Sequence, residues 1–198
     1  MKIRIKGRQN KEEELGSTII EIKENPELSE EEKNKKITEK LIDAARYAGR
    51  VNRSFRDRFP GRLVDDYLEL STIRRLALDH LPENEKVKVL KEVVNAYMNV
   101  VRVYEWKDSY DWVDSAVYTA EKIPGREGIK VLEELGNEFL RRNWTWSASL
   151  VAKALWNRGE KEKATELKRK IDFRVAALEL NKKKEYQPHP PPEELEVP

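Results

Sequence analysis

The sequence predicts an all-α protein of about eight helices, and three features carry that expectation. Apolar residues recur at spacings of three and four almost throughout. Period-two alternation is confined to Lys2–Lys6, which suits a short N-terminal strand or arm. Charged and apolar residues each make up 38% of the chain, enough for every helix to bury one stripe and solvate the rest.

The first helix is expected over 11–24, with Leu15, Ile19 and Ile22 on one face and Asn25-Pro26 as its stop. Ser29 followed by Glu32 forms a capping-box signature, so a long helix is expected over 29–58. Its stripe runs Ile37, Leu41, Ala44, Ala48, Val51, Phe55, Phe59, and Pro60-Gly61 ends it. A third helix is expected over 62–80 (Leu63, Tyr67, Leu70, Ile73, Ala77) and a fourth over 84–104 (Val87, Leu90, Val94, Tyr97, Val101). Pro82 separates them. A fifth helix starts near Asp108 and ends before Pro124; a sixth covers 126–142. Thr145 is the expected cap of a seventh, which ends near Arg158-Gly159. The eighth spans 160–181, with Ala164, Leu167, Ile171, Val175 and Leu178 inside. In domain terms, 1–60 is a helical cap region, 61–181 a region of helix pairs, and 182–198 a disordered Pro-rich tail.

Composition excludes several classes of function. The chain has no cysteine, so disulfides, thiolate metal sites and cysteine nucleophiles are out. No apolar run is long enough to span a membrane. The first residues lack a signal-peptide apolar region, so a cytoplasmic protein is expected. The formal charge of +2 gives no global field toward nucleic acid. Sparse Gln (Gln9, Gln187) beside dense, interspersed charge suggests a hyperthermophilic, archaeal source.

Internal similarity is the most informative pattern. Residues 81–93 match 123–135 at an offset of 42: Pro82, Glu85, Lys88, Val89, Leu90 and Glu92 meet identical residues, and Tyr97 meets Phe139. A second offset of 32 takes Trp112, Ser115, Ala116 and Ala120 to Trp144, Ser147, Ala148 and Ala152. The run Leu132, Leu135-Gly136 and Phe139, followed by Ala148 and Ala152, resembles the tetratricopeptide repeat. The match is good over about 34 residues and degenerate over 97–128, where Tyr104 stands in place of the glycine. The resemblance implies a right-handed stack of helix pairs with a concave partner-binding face and no catalytic residues. A short stack leaves apolar ends, which a homo-oligomer would cover.

Candidate sites follow. Trp112 and Trp144 occupy matched positions and are expected in the core. Trp106 and Trp146 have no matched aromatic and lie near helix-pair turns, close in sequence to Lys107, Arg141 and Arg142. An edge of Trp106, Lys107, Arg141, Arg142 and Trp146 suits a protein partner, since Trp and Arg dominate interface hot spots; ordinary interhelix packing is the alternative. Arg46, Arg50 and Arg53 share a helical face, and with Arg56, Arg58 and Arg62 they form a basic stretch that nucleic-acid phosphates would suit. The competing reading pairs them with Asp65, Asp66 and Glu69 or with the acidic 11–32 region. Arg75-x4-His80 resembles the loose motif of the all-helical HEPN-type ribonucleases, which implies acid–base chemistry by His80; a histidine at a helix end also suits the macrodipole. Asp108, Asp111 and Asp114 fit helix capping better than metal binding. His189 stands alone among prolines, in a tail that either solvates or docks in an aromatic groove. The expectation is a non-catalytic interaction scaffold without metal or cofactor, with a nucleic-acid-binding accessory protein as the alternative.

Overall fold

The three-to-four spacing becomes eight helices and, among the described residues, no strand. A computed structural model describes residues 6–56, 64–102 and 110–185. The helices are α1 (Lys6–Glu24), α2 (Glu30–Arg56), α3 (Val64–His80), α4 (Glu83–Val101), α5 (Tyr110–Glu121), α6 (Gly125–Arg141), α7 (Thr145–Asn157) and α8 (Lys161–Glu185). The chain is thus an all-helical bundle. The expected N-terminal strand or arm over Lys2–Lys6 lies outside the described residues, except that Lys6 opens α1.

Helix ends follow local chemistry. Glu32 N–H donates to Ser29 Oγ at 3.3 Å, and Ser29 N–H donates back to Glu32 Oε2 at 2.9 Å, so the capping box forms. That backbone donation holds the Glu32 carboxyl below the usual carboxylate range. Pro82 and Pro124 hold the same extended conformation ahead of α4 and α6, with φ of −68° and −65°. Thr145 is not a cap. Trp144 takes the N-cap position with no side-chain cap, and Thr145 is the first helical residue.

The helices form two layers. In one, α2, α4, α6 and α8 succeed one another; in the other, α3, α5 and α7 do so, each packed on its chain neighbours in the first layer. Ion pairs tie successive members of the first layer: Arg46–Glu92 at 3.0 Å, Lys91–Glu127 at 2.8 Å and Lys163–Glu133 at 2.9 Å. Such exposed pairs contribute little to stability, so they fix register more than they stabilise. Lys91 also holds the Glu127 carboxyl below its usual range, through its hydrogen bond and its charge.

The core runs along the interface between the layers. Leu81, Val89, Leu90, Val93 and Tyr97 are buried, as are their counterparts Ile123, Val131, Leu132, Leu135 and Phe139. Between these bulky positions sit Ala116, Ala120 and Ala148, all fully buried. Small side chains there let the helix axes approach. The same device serves α2 and α4: a Cβ on Gly49 would stand 3.1 Å from Ala96 Cβ. On α6, a Cβ on Gly136 would meet Leu167 Cδ2 of α8 at 2.8 Å, so the glycine makes room for that leucine. Arg158 closes the α5–α6 turn by donating to the carbonyls of Glu121, Ile123 and Gly125 at 2.7, 2.7 and 2.9 Å.

Two expectations about α8 change. The helix continues to Glu185, so the expected boundary at 182 moves outward by one turn. Val175, expected inside, is 37% exposed. Ala164, Leu167 and Ile171 bury against α7, but α7 has 13 residues and α8 has 25. Beyond about residue 173 the antiparallel partner has ended, and the stripe continues into solvent.

The packing predicts that Ala148→Leu destabilises the protein by about 1–3 kcal/mol through overpacking. Ala176→Leu, on the exposed part of α8, stays within about 0.5 kcal/mol of wild type. Urea unfolding measures both; equal midpoints would contradict a closely packed seam at Ala148.

Candidate partner-binding edge

The edge is built where α6 stops. Trp144 N–H donates to Phe139 O at 2.8 Å and Asn143 N–H to Leu140 O at 3.1 Å, the two bonds of a Schellman motif. The motif needs a left-handed residue, and Asn143 supplies it with φ 61°. Its usual apolar contact is present, with the Phe139 and Trp144 rings stacked at 6.1 Å. Trp144 is therefore half-buried as the clasp of a helix stop, whereas Trp112 lies in the core against Tyr97 at 5.9 Å.

One carboxylate organises the charge. The Glu138 side chain is 11% exposed and three arginines converge on it. Arg142 Nε donates at 2.9 Å, Arg141 forms a close ion pair, and Arg102, at the end of α4, approaches to 3.7 Å. Arg142 also lies 5.2 Å from the centre of the Trp144 ring, a cation–π contact. Arg174 of α8 donates to Asn143 Oδ1 at 2.6 Å, so a third element braces the turn. With three guanidinium groups on one carboxylate, the edge keeps net positive charge. Arg141 remains 75% exposed, and Trp146, in the first turn of α7, is 45% exposed.

The structure thus brings Arg141, Arg142 and Trp146 to one helix-pair turn. Trp106 and Lys107 lie outside the described residues. Arg102, Glu138 and Arg174 join the site although the sequence pattern does not single them out. Glu138 was within reach, standing three and four residues before Arg141 and Arg142, a favourable helical spacing. Arg102 and Arg174 come from other helices and left no local signal.

The basic stretch on α2 is placed in part. Arg46 is held by Glu92 of α4, because α2 packs most extensively on α4, whereas the side chains of Asp65, Asp66 and Glu69 lie outside the described residues. Arg50 Nε donates to the Arg46 carbonyl at 3.3 Å. Arg53 and Arg56 belong to α2, but their side chains, like Arg58 and Arg62, lie outside the described residues. His80 is the last residue of α3 and half-buried; Arg75 is exposed, and among the described residues no hydrogen bond joins the two. Asp108 lies outside the described residues. Asp111 and Asp114 are exposed on α5, and partial desolvation, with the Asp111 charge second, pushes the Asp114 carboxyl up. Among the described residues no three His, Asp or Glu side chains cluster as metal ligands, and no helix is long and apolar enough to cross a membrane. Comparisons with protein-family models, curated proteins and solved structures find no match.

Glu138→Gln is predicted to lower stability by about 1 kcal/mol at low ionic strength, because three arginines lose their shared counter-charge. Raising the salt to about 1 M screens their repulsion and narrows the gap. Thermal melts across a salt series check this; a loss independent of salt would contradict the charge account.

Proposed function

We propose that the protein is a non-catalytic protein-interaction scaffold whose partner docks on the α6–α7 edge, through Arg141, Arg142 and Trp146. The observation that carries the reading is the exposure of an arginine and a tryptophan around a turn that is itself fixed. Asn143, Trp144 and Glu138 hold that turn in place. A rigid edge loses little conformational entropy on binding, and Arg and Trp are the side chains that most often dominate interface energy.

The two-layer succession of helices, with matched burial in the segments that follow Pro82 and Pro124, supports the resemblance to tetratricopeptide-type helix pairs. That architecture suits a binding surface made of successive turns. A second copy of the chain is one protein partner that such an edge admits. The nucleic-acid alternative is less favoured, since Arg46 is already engaged by Glu92.

The test is affinity capture from an extract of the source cell, followed by titration of the purified partner. Arg141→Glu with Trp146→Ala should weaken binding at least about tenfold, or about 1.4 kcal/mol. Equal affinity of the double variant and wild type would refute the edge. Capture abolished by nuclease treatment would favour nucleic acid instead.

A further inference from the structure

Beside this edge lies a groove between the end of α6 and the middle of α8. It encloses about 550 Å³ and is lined by Leu140, Arg141, Arg169, Lys170, Phe173 and Arg174. Its floor is apolar. Phe173 is 79% exposed there, although an aromatic ring gains most from leaving water. It stands where α8 passes beyond the reach of α7, so no helix of the described chain covers it. Its rim is cationic. Arg169 and Lys170 share one carboxylate, Glu166, at 2.7 and 3.5 Å. Arg141 shares Glu138 with two other arginines, and Arg174 is oriented by the neutral amide of Asn143. Four cations thus ring the groove, and the two carboxylates that hold three of them are each divided among several partners.

We propose that this groove binds an acidic peptide segment of the partner protein, with one large apolar side chain laid on Leu140 and Phe173 and flanking carboxylates on the four cations. The inference rests on the scaffold reading given above and assigns the chemistry of the partner. Arginine forks pair with carboxylates through charge-assisted hydrogen bonds, and clusters of them serve as receptors for acidic motifs. A single-stranded nucleic acid would draw on the same cations, but it gains affinity by stacking successive bases on aromatic platforms. This floor offers one ring and one aliphatic side chain, which is room for one apolar residue. Charge complementarity with a single apolar anchor therefore favours a peptide.

The probe is a fluorescent synthetic peptide, Glu-Glu-Glu-Leu-Glu-Glu-Glu, titrated into the full chain and followed by anisotropy. Saturable binding is expected that weakens about tenfold or more as salt rises from about 0.05 to about 0.5 M. Replacing the peptide leucine by serine weakens it by a similar factor. On the protein, Phe173→Ser and Arg174→Glu each do the same; both side chains are exposed, so circular dichroism should show unchanged helicity. Trp146→Ala leaves peptide binding intact while impairing partner capture, which separates failure of the groove from failure of the edge. Absence of saturable binding would overturn the proposal. So would indifference to the peptide leucine or to Phe173, or tighter binding of a single-stranded oligonucleotide through the same residues.

Discussion

Close approach of helices through small side chains is the constraint on which the rest of the structure depends. A chain with 38% charged residues has little apolar surface to spend, so each buried contact must be efficient. Ala116, Ala120 and Ala148 sit fully buried along the seam, and Gly49 and Gly136 admit Ala96 and Leu167. Where backbones come close, Leu132, Phe139 and Tyr97 are fully buried between neighbouring helices. Charged residues are left to the outer faces, where Lys91–Glu127 and Lys163–Glu133 tie helices of one layer to each other.

The edge inherits its rigidity from that packing. Phe139 is a core residue and also the contact that Trp144 clasps, so the α6–α7 turn is anchored in the interior. Glu138 is its immediate neighbour and is nearly buried, which fixes the point on which Arg102, Arg141 and Arg142 converge. The mismatch in length between α7 and α8 leaves Phe173 uncovered beside the same turn. One end of the bundle thus gathers exposed aromatic and cationic groups on a backbone that cannot easily rearrange.

What was legible in the sequence was local. The Ser29–Glu32 box, the Pro82 and Pro124 starts and the buried spacing of Leu132, Leu135 and Phe139 are all properties of a few neighbouring residues. The end of α8 and the exposure of Val175 are not legible, because a helical stripe says nothing of where its partner helix stops. Thr145 has the chemistry of a cap, but the left-handed Asn143 brings the chain into α7 one residue earlier. Of the candidate site, Arg141, Arg142 and Trp146 were legible as an aromatic and basic cluster. The convergence of Arg102 on Glu138, the brace from Arg174 and the Arg46–Glu92 pair depend on which helices become neighbours.

Native-state hydrogen exchange tests the packing account most directly. Helices α4, α5 and α7, packed on neighbours of their own layer and on the opposite layer, should hold the slowest amides, at Val94, Tyr97, Ala116, Thr119, Ala120, Ala148 and Val151, while α8 beyond Phe173 exchanges orders of magnitude faster. Amides of α5 or α7 that exchanged as fast as those near Leu180 would contradict the buried seam and remove the rigid support from the edge.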